Sequence, residues 1–60
     1  MRLLDIVFYL LRSSSKVTIS ELSRIYNVST RTIKRDLDKL SILGIPIIIH
    51  RGKNGGVEID

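Results

Sequence analysis

Between Met1 and Arg12 the polar residues are Arg2, Asp5, Tyr9 and Arg12, at spacings of three and four. A helix of about 3.6 residues per turn gathers such positions into one narrow stripe. The segment therefore reads as a first helix. Its other residues, Met1, Leu3, Leu4, Ile6, Val7, Phe8, Leu10 and Leu11, cover roughly 220° of the circumference, against the stripe of about 100° or more that a one-sided helix needs. Two apolar faces imply two partners. One face packs on the rest of the domain, and the other is expected to meet a second subunit or a further domain. The alternative is that a very small domain wraps most of this helix in its own core.

Ser13 to Lys16 is a polar connector, and Lys16-Val17-Thr18 has the makings of a very short edge strand. Thr18 followed three residues later by Glu21 is a capping box, the start signal of a second helix. Tyr26, Asn27 and Val28 form the turn after it. Asn27 is the expected left-handed residue, because asparagine enters that region at tolerable cost. Ser29 then opens a third helix. Leu22, Ile25, Val28, Ile33, Leu37 and Leu40 are expected to be core, the last three at spacings of four and three. Ser23 is small where the two helices must cross. With that face inward, Thr30, Arg31, Lys34, Arg35 and Asp38 point outward.

Near residue 43 the period changes. Gly44 suits a left-handed helix stop, Ile45 is placed to fold back on Leu40, and Pro46 cannot continue the helix. Ile47 to Arg51 is a β-branched run, Gly52 to Gly56 a turn with three glycines, and Val57-Glu58-Ile59 a returning strand. A hairpin directly after a helix-turn-helix is a wing. The predicted fold is α+β, a three-helix winged helix-turn-helix with a C-terminal two-stranded hairpin, occupying residues 1–60 as one domain.

Composition agrees with that size of fold and points to a partner. Sixty residues with 43% hydrophobic content and no cysteine make a small core without disulfide support. With no cysteine and no signal-peptide pattern, the expected compartment is the cytoplasm. The apolar runs are too short to cross a bilayer, so no membrane partner is expected. Net charge is +4 and the pI about 10.0, which favours a polyanion such as nucleic acid over an acidic protein or a membrane surface. The charge is not spread evenly. From Ser29 to Asn54 there are six basic residues (Arg31, Lys34, Arg35, Lys39, Arg51, Lys53) against Asp36 and Asp38, while Glu58 and Asp60 close the chain.

The segments STRTIKRDLDKL, LGIPI and RGKNGG, in this order, resemble the DeoR-like, or type 11, winged helix-turn-helix found at the amino end of bacterial transcriptional regulators. They are most similar to those that carry a WYL domain; the biotin-ligase repressors have a related, less similar domain. The resemblance covers nearly the whole chain and implies operator binding, usually as a dimer. It maps Ser29 to Arg35 onto the recognition-helix segment and Arg51 to Gly55 onto the wing. It also implies that residues 1–60 are the amino-terminal part of a longer regulator, homodimeric at full length, whose ligand-sensing domain lies elsewhere.

The residues themselves describe how double-stranded DNA would be held. A recognition helix spanning 29–43 fits the major groove and presents its amino-terminal outward residues to base edges. Arg31 can give two parallel donors to guanine, and Thr30 can meet a thymine methyl; Lys34 and Arg35 lie beside them. Ser29, with free N–H groups at the helix start, suits a phosphate, and Thr32 and Lys39 are further phosphate candidates. In the wing at 51–56, Arg51 and Lys53 flank a glycine-rich tip that lets the backbone approach the duplex. Asp36 is expected to hold a neighbouring arginine and Asp38 to face solvent. His50 reads as structural or solvated, and Tyr9 and Tyr26 as partly buried packing residues. One histidine and no cysteine offer no ordinary zinc site, no nucleophile elbow is present, and GKNGG lacks phosphate-loop order. No enzyme activity and no cofactor are expected. The competing class is a winged-helix protein-interaction or dimerisation module, motivated by the doubly apolar first helix, or the regulatory domain of a biotin-ligase repressor.

Overall fold

A computed structural model of the chain describes residues 1–53 and 55–60. Asn54, part of the glycine-rich turn read from the sequence, lies outside the described residues. The elements run α1 (Arg2–Arg12), α2 (Ile19–Tyr26), α3 (Thr30–Ile42), β1 (Ile47–His50) and β2 (Gly56–Ile59). Three helices followed by an antiparallel hairpin are the winged helix-turn-helix of the predicted α+β class.

Local chemistry sets the helix boundaries. Thr18 Oγ1 accepts the Glu21 N–H at 3.0 Å and starts α2. The Glu21 carboxylate, expected to reach back and close the capping box, accepts instead from the Tyr9 hydroxyl of α1 at 2.7 Å. Half of the box is thus spent on tying α1 to α2. Asn27 takes the left-handed conformation (φ 55°, ψ 47°), and the Val28 N–H turns back to the Ser23 carbonyl at 3.1 Å. Ser29 Oγ accepts the Thr32 N–H at 3.1 Å and starts α3. At the other end Gly44 has φ 99°, with Ile45 N–H on Leu40 O and Gly44 N–H on Ser41 O, both at 3.0 Å. These two bonds form a Schellman stop, which satisfies carbonyls that the helix end leaves unpaired.

The core is Ile6, Leu10, Val17, Leu22, Ile33, Leu37, Leu40 and Val57. Four of the six expected core residues are there, Val28 is half-buried against them, and Ile25 is corrected to the surface at 46% exposure. At 100° per residue, Ile19, Leu22 and Tyr26 form the buried stripe of α2, and Ile25 lies on its flank, about 90° from the centre. Ile19 and Tyr26 do pack against the core. The edge strand expected at Lys16-Val17-Thr18 is a single bridge, Val17 to Val57, with backbone hydrogen bonds of 3.0 and 2.7 Å. That bridge puts β2 between β1 and Val17 and draws both valines into the core.

In the hairpin, Ile47 pairs with Ile59, Ile48 with Glu58, Ile49 with Val57 and His50 with Gly56. The first strand ends one residue before Arg51, which belongs to the turn, and the second begins one residue earlier than the alternation predicts, at Gly56. Two of the glycines answer to close packing inside the domain. A Cβ on Gly55 would lie 2.6 Å from the His50 carbonyl oxygen, and one on Gly56 would lie 2.8 Å from Lys16 Cβ.

One polar contact fixes α3 from behind. Asp36 is 2% exposed, and its partner is Arg2 of α1, whose Nη2 lies 3.4 Å from Oδ1 while Nε bonds Oδ2. Asp36 thus holds an arginine, one that is adjacent in space and 34 residues away in sequence, while Arg35 is exposed. On α1, Ile6 and Leu10 are buried and Leu3 and Val7 pack beside them, whereas Met1, Leu4, Phe8 and Leu11 are exposed. Among the described residues no helix is long and apolar enough to cross a membrane.

Candidate nucleic-acid interface

The inward stripe of α3, Ile33, Asp36, Leu37 and Leu40, is buried, so the helix geometry forces the opposite side outward. Thr30, Arg31, Lys34, Arg35, Asp38 and Lys39 are all exposed. Arg31, Lys34 and Asp38 share one line along this face, within about 60° of one another, with Arg35 to one side and Lys39 further round. Ser29 is exposed and Thr32 half-buried, and their hydroxyls lie 3.1 Å apart in the cap. The Thr32 N–H is already consumed by Ser29 Oγ. The free N–H donors of the helix start are those of the preceding residues, which remain available to an anion.

The wing comes up beside this face. Lys34 and Asp38 of α3, Ile19 of α2, and Ile49, His50, Arg51 and Gly52 of the hairpin line an open cleft of about 540 Å³. A smaller cleft of about 220 Å³ runs between the start of α2 and the wing, where Thr18 and Ser20 face Lys53 and Gly55. The structure thus brings Lys34 and Arg51 to one cleft and sets Lys53 on the next. Arg31, Arg35 and Lys39 lie on the open face of α3, outside both. Thr32, half-buried in the cap, is the least accessible of the sequence-predicted residues.

Electrostatically the face is unneutralised. Among the described residues Arg2 pairs with Asp36 and His50 with Glu58. None of Arg31, Lys34, Arg35, Lys39, Arg51 or Lys53 has a carboxylate partner among the described residues. His50 Nε2 lies 2.5 Å from Glu58 Oε2, diagonally across the hairpin, and both side chains are partly exposed. That pairing gives His50 a structural place at the cleft wall. The pKa shifts lie on the α1 side of the molecule. The Glu21 hydrogen bond raises the Tyr9 phenol, burial and then Asp5 raise Tyr26, and the Asp36 hydrogen bond raises the Arg2 guanidinium.

Sequence reasoning leaves Asp38 and the start of α2 out of the site. Asp38 is exposed, as expected, and it also lines the cleft that Lys34 shares with the wing. A spacing signal for it exists, since residues 34 and 38 are neighbours on any helix face. Thr18, Ile19 and Ser20 carry no such signal, because only the folded wing brings the hairpin against them.

Residues 2–58 match the family model HTH_11, described as an HTH domain. The chain is also similar to the uncharacterized HTH-type transcriptional regulator YobV of Bacillus subtilis (strain 168), with 41% identity over 58 residues. The match takes in 97% of this chain and 18% of that protein. No solved structure matches the chain.

Proposed function

The chain belongs to the HTH_11 family of HTH domains, and from that membership we propose that it binds double-stranded DNA sequence-specifically, as the DNA-binding domain of a bacterial transcriptional regulator. The observation that carries this reading is the set of six cations on α3 and the wing, none paired with a carboxylate among the described residues. The 13 residues of α3 span about 20 Å, enough to lie along a major groove about 12 Å wide. In that pose Thr30, Arg31, Lys34 and Arg35 meet base edges. Ser29, with Thr32 and Lys39 at the margins, meets phosphate, and Arg51 and Lys53 hold the backbone or minor groove beside it. Such work needs no catalytic group and no cofactor, and belongs in the cytoplasm. In a longer regulator of the kind the relative's length indicates, residues 1–60 are the reading head.

The exposed face of α1 supports a homodimer. Leu4, Phe8 and Leu11 are 54%, 53% and 60% exposed, and Asp5 and Arg12 lie two turns apart along one edge of that patch. Antiparallel pairing with a second copy, centred on Phe8, sets each Asp5 opposite the partner's Arg12. The same patch is what a protein-interaction module would use, so the two readings part at DNA.

Fluorescence anisotropy with mixed-sequence duplex DNA across a salt series decides between them. The expected result is binding at low salt that weakens steeply as salt rises; no binding at low salt overturns the DNA reading. Sedimentation over a concentration series is expected to show reversible dimerisation, and a strict monomer at high concentration overturns the α1 interface.

A further inference from the structure

Asp38 is the one exposed acid on α3, and it lies in line with Arg31 and Lys34 on the face proposed to read DNA. It makes no ion pair and no hydrogen bond among the described residues, although Lys34 is one turn away and Arg51 lines the same cleft. A carboxylate there is repelled by phosphate, so it weakens any docking that presses this wall against the backbone. The opposite holds inside the groove. A carboxylate is an acceptor only, and the major groove offers it donors at cytosine N4 and adenine N6, whereas guanine and thymine present acceptors. Adenine sets its N7 acceptor beside its amine, which leaves cytosine as the base that suits a carboxylate without opposing it.

We propose that Asp38 is a specificity-determining residue, accepting a hydrogen bond from a cytosine amine and penalising sequence-independent contact. The inference rests on the DNA-binding reading and adds a base preference to it. Arg31 and Asp38 are seven residues apart, about 10.5 Å along the helix axis, so Asp38 addresses a base step beyond the one Arg31 reaches. Lys34 lies between them on the same exposed face and lines the same cleft as Asp38.

The test is selection from a random duplex pool with the 60-residue chain and its Asp38→Asn and Asp38→Ala variants, followed by anisotropy on selected and mixed-sequence DNA. The wild type is expected to select a cytosine at one position and to lose about tenfold in affinity when that base pair is changed. Asp38→Asn is expected to move that preference to adenine, whose N6 and N7 match an amide. Asp38→Ala is expected to leave the position without preference, and both variants to bind mixed-sequence DNA roughly fivefold more tightly, one close repulsion having gone. Selection of the same base at every position by all three proteins overturns this inference and leaves the DNA reading intact. Failure of the wild type to bind any duplex at low salt removes both.

Discussion

Arg2, at the first turn of α1, grips both carboxylate oxygens of Asp36 on the hidden side of α3. Asp36 is almost fully buried while Arg2 is partly open to water, so the carboxylate depends on its partner more than the guanidinium does. Removing one member of such a pair leaves a buried charge uncompensated, whereas replacing both with apolar groups of similar volume is often neutral or stabilising. Arg2→Ala is therefore expected to lower the thermal midpoint, and Arg2→Met with Asp36→Leu to recover most of the loss. A double-mutant cycle by thermal denaturation checks this; additive single effects would show that the pair does not couple α1 to α3.

Gly44 and Gly56 resist substitution for different reasons. At Gly44 a Cβ meets nothing within 4 Å, but φ is 99°, so Gly44→Ala is expected to cost about 1–2 kcal/mol in backbone strain alone. In a domain of this size that is a midpoint drop of roughly 4–16 °C. At Gly56 the added Cβ would stand 2.8 Å from Lys16 Cβ, beside the Val17 to Val57 bridge. Gly56→Ala is expected to part that bridge, seen as faster hydrogen exchange at the Val17 and Val57 amides. Protection unchanged at both amides would place the strain elsewhere.

The contrast between these sites and the Arg2 contact explains what can be read from the sequence. Thr18, Asn27, Ser29 and Gly44 act through hydrogen bonds and backbone preferences only a few residues long, so their roles are visible in the order of residues. Periodicity suffices for Ile33, Leu37 and Leu40 on a helix of 13 residues. It fails for Ile25, because α2 has eight residues and a stripe that short does not fix its own centre. The Arg2 to Asp36 and Tyr9 to Glu21 contacts join segments whose approach depends on the packed core, and no local rule encodes them. The outward direction of the α3 cations is legible for the same reason as the core stripe. The meeting of Lys34 with Arg51 and Ile19 at one cleft depends on where the wing lands.

Tyr9 gives the domain an alkaline limit. Its hydroxyl donates to Glu21, which favours the neutral phenol and raises its pKa above the ordinary 10.0; Tyr26 is raised by burial. Unfolded tyrosines ionise near 10. A raised folded-state pKa contributes stability that is whole below the unfolded value and is lost as pH rises through the folded pKa. Wild type is therefore expected to lose stability on the alkaline side of pH 10, and Tyr9→Phe to lose less there. The stability gap between the two narrows as pH rises. Tyrosinate absorbance during an alkaline titration reads the ionisation directly, and ionisation of both tyrosines at the ordinary value would rule out the Glu21 contact as its cause.

Arg31 and the wing cations are expected to separate reading from holding. Arg31 lies on the open face of α3 and Arg51 beside the cleft, so the two meet different parts of a duplex docked on this side. Arg31→Ala is expected to relax the preference at one base position by about 1–3 kcal/mol while leaving mixed-sequence binding comparatively intact. Arg51→Ala and Lys53→Ala are expected to weaken binding to every sequence alike and to reduce the slope of log affinity against log salt by about 1 for each phosphate no longer neutralised. The hairpin is paired from Ile47 with Ile59 to His50 with Gly56, and Arg51 and Lys53 are exposed beyond it, so truncating either side chain is expected to leave the recognition helix where it was. Anisotropy on one selected site, its single-base variants and mixed-sequence DNA, each over a salt series, measures both quantities together. An Arg31→Ala variant that weakens equally on all sequences would reassign Arg31 to the backbone, and a wing variant that changes base preference would make the wing a reader as well.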